Sequence, residues 1–366
     1  MSELDPFELV ANLTELEPLA RDCMDQPAFD YYAGGAGSEW TLAQNRAAFD
    51  RWVLRPRYLV DVSHIELSTT LLGQPMPMPV LLAPTAFHRL AHPEAELATA
   101  RGALAAGVTM CVSTSSTTPL EHVAATGVSR WFQLYVHRDR SMAERLVARA
   151  YDSGYQAVVL TIDVPYLGRR ERDVKNRMEQ WFPAEIQMAS TRALSTGQTA
   201  GRELFDPQTQ FFDASLTWDD LDWLRALSPL PIVLKGVMTA EDATLAAEAG
   251  VDALVVSNHG GRQLDGAAAA LDVLPEVVEA VGDRIDVMVD GGVRRGTDIV
   301  KALALGARAV LIGRPYLWGL AVGGEAGVFW VLETLREDLR LAMALTGATG
   351  VDQISRAMVS PAPGSR

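Results

Sequence analysis

From residue 80 onward the chain repeats one unit, a short apolar run of strand-forming residues followed by a stretch rich in Ala, Leu and Glu. Eight such runs can be read: Val80 to Ala83, Val108 to Val112, Trp131 to Tyr135, Ala157 to Ile162, Ile232 to Leu234, Ala253 to Val256, Val287 to Val289 and Ala309 to Ile312. Runs that are apolar on nearly every residue, rather than on every second one, describe strands buried on both faces, as in a parallel sheet covered by helices. Helix-like segments follow at typical α/β spacing, among them Glu94 to Ala106, Ser141 to Ser153, Thr239 to Ala249 and Gly296 to Leu305. Eight alternations predict an α/β fold closed as a (β/α)8 TIM barrel. A doubly wound sheet would more often carry a glycine-rich dinucleotide turn after its first strand, and Pro84-Thr85-Ala86 stands there instead.

The remainder is arranged around that barrel. Residues 1–79 read as an N-terminal helical segment, with Leu9, Leu13, Leu16 and Leu19 near helical spacing and a second amphipathic stretch from Glu39 to Phe49. Between them Tyr31 and Tyr32 meet the glycines Gly34 and Gly35, where a phenol either reaches a ligand or simply packs. The connection over residues 171–217 is far longer than a usual barrel loop and is expected to form a lid or a disordered excursion, with Trp181, Phe182, Phe205, Phe211 and Phe212 among polar residues. Residues 356–366 read as a loose tail, and nothing divides the 366 residues, with the barrel over 80–350, into two domains. A net charge of -14 excludes the basic footprint of a nucleic-acid or anionic-membrane surface, so an anionic small substrate must meet a local positive pocket. Cys23 and Cys111 have no metal-ligand spacing and are too few for a disulfide framework. The acidic start and the lack of a run of about 18 apolar residues lead us to expect a cytoplasmic protein.

In a barrel the C-terminal ends of all strands share one rim. There the chain places Pro84, Thr85 and Ala86, then Ser113 and Ser115, Gln133 and Tyr135, Thr161, Asp163 and Arg170. Lys235 ends the fifth run, and Ser257-Asn258-His259-Gly260-Gly261-Arg262 follows the sixth. An imidazole and a guanidinium three residues apart suit proton abstraction and carboxylate binding, although a glycine-rich loop with a solvated or paired His and Arg would read the same. After the seventh and eighth runs, Asp290-Gly291-Gly292-Val293-Arg294 and Gly313-Arg314 form a candidate phosphate site, since glycines admit backbone N–H groups to an anion and arginines add charge. Tight turns are the alternative. Lys235, ending an apolar strand, needs an anionic partner, and Asp163 needs a cation or His259. A structural salt bridge would also satisfy either.

Taken together, Ser257 to Asp265, Asp290 to Gly296, Gly313-Arg314-Pro315, Asp30 to Ala36 and Thr161 to Arg170 resemble the FMN-dependent 2-hydroxy acid oxidases and dehydrogenases, nearest to the glycolate and mandelate oxidase types. The resemblance spans about Tyr31 to Ile354. It implies FMN at the barrel mouth, with its phosphate on Gly292, Arg294, Gly313 and Arg314 beside Gly291 and Val293, and its ribityl chain near Asp290. The flavin ring would meet Pro84, Thr85, Ala86, Ser113, Gln133, Thr161 and Ser257, with Lys235 beside its N1 and O2 edge. Arg170 and Arg262 would bind the substrate carboxylate, His259 would act as base, Asp163 would stabilise the imidazolium, and Tyr31 and Tyr135 would hydrogen-bond the substrate. No metal is implied.

Members of the glycolate oxidase type carry tryptophan where this chain has Ser115. The lost indole would open the pocket, Phe87 would wall it, and a mandelate-like or longer aliphatic acid would be preferred to glycolate. The alternative is that Trp181 or Phe182 folds in and refills the space. Oxygen is the expected acceptor, giving peroxide, because no haem domain precedes the barrel and residues 171–217 lack a membrane anchor. A quinone or protein acceptor is the alternative, as is a non-catalytic flavin barrel or a redox-neutral isomerase. A homo-tetramer or larger assembly is expected.

Overall fold

A computed structural model describes residues 6–189 and 212–364. Strands β1 (Trp52–Leu54), β2 (Thr69–Leu71) and β3 (Gln74–Met76) precede the eight barrel strands. The latter are β4 (Val80–Leu82), β5 (Met110–Ser113), β6 (Arg130–Leu134), β7 (Val158–Thr161), β8 (Ile232–Val237), β9 (Ala253–Val256), β10 (Asp286–Asp290) and β11 (Ala309–Ile312), and β12 (Val359–Pro361) ends the series. β4 to β11 pair side by side in parallel, and β11 closes the ring on β4 with Val310 opposite Val80. All eight expected strands are present, in the expected order.

The closed ring explains why the runs are apolar throughout. Leu81, Val159, Val233, Val255 and Leu311 point inward and pack with one another, while their neighbours Val80, Leu82, Val158, Leu160, Leu234, Val256 and Val310 point outward beneath the helices. Each strand therefore serves two cores at once. Leu71 and Met76, from the β2–β3 hairpin, join the inner cluster, so the hairpin packs against the interior of the barrel.

Three expectations need correction or limitation. The segment 1–79 is helical only to Asp50, through Leu16–Cys23, Gln26–Ala33 and Trp40–Asp50, and then holds β1 and the hairpin. The end of the chain is not loose: β12 pairs antiparallel with β1, joining Trp52 to Pro361 and Leu54 to Val359, and Met358 and Val359 are buried. Three-residue strands are too short to show a period, and β3 and β12 each contain a proline, which only a sheet edge accepts. Of the expected lid, Glu171–Lys175 and Met178–Trp181 are short helices, and residues 190–211, with Phe205 and Phe211, lie outside the described residues. Among the described residues no helix is long and apolar enough to cross a membrane.

The helix Trp40–Asp50 lies directly on the turn after β10. Gly292 there has φ +87, and an added Cβ would stand 2.0 Å from the backbone oxygen of Asn45. We therefore expect Gly292→Ala to destabilise the fold by roughly 3 kcal/mol, from a strained backbone plus a displaced helix. Denaturant unfolding checks this, and an unchanged midpoint would contradict it.

Candidate active site

Residues at or after the C-terminal end of every barrel strand line one open cavity at the rim. His259 enters it from the loop after β9 in the left-handed region, with φ +58, a conformation costing about 1–3 kcal/mol for a residue with a side chain. Local hydrogen bonds hold it. The His259 N–H donates to Ser257 Oγ at 3.1 Å, and Gly261 N–H donates to Asn258 Oδ1 at 3.0 Å. Asn258 is in turn locked to Asn45 by two reciprocal amide bonds of 2.8 Å.

The imidazole lies between Asp163 and Tyr135. Its Nδ1 is 2.9 Å from Asp163 Oδ1, and its Nε2 is 3.4 Å from the Tyr135 hydroxyl. Burial pushes the Asp163 carboxyl up, but His259 and Lys235 outweigh it and hold the group below the usual carboxylate range. Burial lowers the His259 pKa, Asp163 restores part of the loss, and Lys235 and Arg170 push it further down. Near neutral pH the ring is uncharged, Nδ1–H donates to the carboxylate, and Nε2 carries the free lone pair. Burial also keeps the Tyr135 phenol protonated, so it can donate.

Beneath this pair, Lys235 Nζ meets Asp290 Oδ2 at 3.0 Å and donates to Ser257 Oγ at 2.8 Å. Burial works against its charge, but Asp290 and Asp163 raise its pKa, so the ammonium stays charged. The expected need for a partner is met by a carboxylate expected near a ribityl chain. Asp290 keeps one buried oxygen, Oδ1, without a hydrogen-bond partner among the described residues.

Arg170 and Arg262 lie over the Tyr31 ring, 5.9 and 4.9 Å from its centroid. Arg262 spends Nη1 on the carbonyls of Tyr31 at 2.5 Å and Gly34 at 2.9 Å, which aims the rest of its fork at the cavity. Burial, and next the neighbouring Arg170, push its pKa down to about 10. Two buried like charges side by side call for an anion between them.

A second candidate anion site lies at the β10 and β11 ends, where Gly291, Gly292, Val293, Arg294, Gly313 and Arg314 line the cavity. Arg314 donates to the carbonyls of Tyr32 at 2.8 Å, Gly34 at 2.9 Å and Gly260 at 3.0 Å, so it offers charge more than free donors. Burial, then Arg262 and Arg294, lower its pKa to about 9. A Cβ added at Gly313 would meet nothing nearer than 3.7 Å and would project into the cradle. A crowd of half-buried cations beside an open glycine turn fits a bound phosphate.

Of the remaining expected residues, Pro84, Thr85, Ala86, Ser113 and Ser115 line the cavity. Gln133 stands behind them, accepting from Ser113 Oγ at 3.1 Å and donating to Thr161 Oγ1 at 3.0 Å. Phe87 does not wall the cavity. Its backbone is left-handed, with φ +58, and its fully buried ring packs edge-on against Phe182 at 5.0 Å and near Tyr31 at 6.0 Å. Phe182 does fold inward, but it fills space around Phe87 rather than the cavity. The apolar wall is formed instead by Leu167, Phe212 and Leu317, which no periodicity in the sequence marks out.

The profile of the family described as FMN-dependent dehydrogenase matches residues 20–361. An L-lactate oxidase of Nostoc sp. is 54% identical over 355 residues, covering 94% of this chain and 96% of the relative. The glycolate oxidase of Spinacia oleracea is 46% identical, covering 96% of each chain. A crystal structure of mandelate oxidase with (S)-4-hydroxymandelic acid superposes with a TM-score of 0.90 at 42% identity, covering 96% of this chain and 99% of that one.

Because the Asp163 charge raises the His259 pKa against burial, Asp163→Asn should lower it further. NMR titration of the imidazole reads this directly, and an upward shift would show that Asp163 is not the dominant partner.

Proposed function

The chain belongs to the FMN-dependent dehydrogenase family and uses FMN, and from that premise we propose that it oxidises an (S)-2-hydroxy acid to the 2-oxo acid, with oxygen reduced to hydrogen peroxide. The observation that carries this reading is a neutral, Asp-paired histidine facing two buried arginines across one cavity whose far end suits a phosphate. A redox-neutral or non-catalytic flavin barrel has no use for that combination.

The residues that would hold FMN are Gly291, Gly292, Val293, Arg294, Gly313 and Arg314 at its phosphate and Asp290 near its ribityl chain. Pro84, Thr85, Ala86, Ser113, Gln133, Thr161 and Ser257 would lie about its ring. Bound FMN supplies the acceptor for the two electrons leaving the substrate. Arg170 and the free edge of the Arg262 fork clamp the substrate carboxylate, fixing the hydroxyl-bearing carbon near His259. His259 Nε2 takes a proton from the substrate, and Asp163, already bonded to Nδ1–H, stabilises the imidazolium that results. Tyr135 donates to the substrate oxygen from beside Nε2, and Tyr31 holds both arginines in orientation while presenting its hydroxyl to the substrate. Lys235 places a fixed positive charge where negative charge accumulates as electrons leave the substrate.

The substrate we propose is bulkier than glycolate, a mandelate-like or longer aliphatic acid. Ser115 is small and lines the cavity, and Leu167 and Phe212 give it an apolar wall. Relatives named for lactate, glycolate and mandelate leave the size of the side chain open, so the pocket residues carry this choice. Exposed Tyr58 and Leu59 support the homo-oligomer expected above.

We expect His259→Asn to keep its FMN and lose about 100 to 10,000-fold in anaerobic flavin reduction. Reduction at the wild-type rate would remove His259 from the mechanism. The wild-type kcat/KM should fall as pH drops through a pKa below the ordinary histidine value, because the protonated ring cannot accept a proton. For substrate size, mandelate and 2-hydroxyoctanoate should exceed glycolate in kcat/KM, and Ser115→Trp should reverse the order. Glycolate winning by about tenfold, or ~1.4 kcal/mol, would show the pocket to be small. One peroxide formed per substrate consumed tests the acceptor.

A further inference from the structure

Asp173 has no part in the mechanism above, yet it is a carboxylate taken out of water beside the arginine clamp. It lies on the short helix Glu171–Lys175, and its side chain is about 12% exposed. Its Oδ2 is 3.8 Å from Arg170 Nη1, too far for a good hydrogen bond, and its Oδ1 has no partner among the described residues. An ion pair kept only for stability would close this distance and satisfy both oxygens, because a half-satisfied buried carboxylate is costly.

The helix also holds the charge in place. Arg172 pairs with Glu39 at 2.7 Å and with Asp30 at 3.4 Å, and Asn176 donates to Asp30 at 2.9 Å. These contacts fix the backbone of the helix that carries Asp173. The charged groups that face it are Arg170, Arg262 and Asp30; burial, the largest influence, raises its pKa above the ordinary carboxylate value, Asp30 adds to the rise, and the two arginines oppose it.

We propose that Asp173 is a built-in counter-ion that sets the charge of the carboxylate clamp and so restricts the site to monocarboxylate 2-hydroxy acids. This inference rests on the reading of Arg170 and Arg262 as the substrate clamp. With Asp173 ionised, two guanidinium groups and one carboxylate leave one net positive charge, which a single substrate carboxylate neutralises. A second carboxylate on the substrate would face the Asp173 field with no further cation in the clamp to match it. Asp173 is therefore a specificity-determining residue that acts through the arginines and touches no reacting atom.

The test uses the FMN-loaded enzyme and two ligands of nearly equal shape, dianionic oxalate and monoanionic oxamate, with dissociation constants measured by calorimetry and by perturbation of the flavin spectrum. In Asp173→Asn, and likewise in Asp173→Ser, oxalate should tighten about tenfold more than oxamate, or ~1.4 kcal/mol. Tartronate should gain on glycolate in kcat/KM by a similar factor, and Asp173→Glu should keep the wild-type selectivity. An unchanged oxalate-to-oxamate ratio in either folded, FMN-replete variant overturns the proposal. So does loss of FMN in both, which would mark Asp173 as structural. Failure of the wild-type enzyme to bind either ligand would instead overturn the clamp reading, and this inference with it.

Discussion

Lys235 is the residue on which the barrel mouth depends. An ammonium with 3% of its surface exposed cannot remain charged without an opposite charge, and Asp290 provides it from two strands away, with Ser257 bonded to it from the strand between. That pairing ties the ends of β8, β9 and β10 into one unit. The loop after β9 begins at Ser257, whose hydroxyl also accepts the His259 N–H and so helps hold His259 in its left-handed turn. The same ammonium lowers the pKa of Asp163 and of His259. A single buried cation therefore influences the geometry of His259, its protonation state and the charge of its partner.

The protein as a whole is acidic, with a net charge of -14, yet among the described residues its cavity is lined by Arg170, Lys235, Arg262, Arg294 and Arg314 against one carboxylate, Asp290. This local reversal is what an anionic substrate and an anionic cofactor require. The acidic exterior repels polyanions that would otherwise compete, and the buried cations act at short range where water screens them least. The lowered pKa values of Arg262 and Arg314 record the cost of crowding like charges. Bound anions relieve it, so ligand binding and fold stability are linked here.

Much of this was legible in the sequence because it is written in local patterns. Runs such as Ala253 to Val256 are apolar on both faces only in a sheet covered on both sides, and the residues just past each run must share a rim. What was not legible depends on contacts between distant segments. No pattern in Arg314 shows that its donors go to the carbonyls of Tyr32, Gly34 and Gly260. Nothing local marks Gly292 as the seat of the Asn45 backbone, although its pairing with Gly291 marked a turn. Phe87 was misplaced because proximity to the Pro84 turn says nothing about backbone handedness, and a positive φ sends the ring into the core. The strands β1 and β12 exist only because two segments far apart in the sequence meet.

That meeting has a consequence in time. β4, near residue 80, finds its last neighbour only in β11, more than two hundred residues later, and β1 waits for β12, about three hundred residues after it. While the chain is being synthesised, the edge of β4 and the outward faces of the early strands have no cover, and an uncovered strand edge is a template for pairing with other chains. The closed ring that leaves the finished barrel free of edges thus makes the nascent one vulnerable for most of its synthesis. The clasp of β1 on β12 can form only when that interval is over.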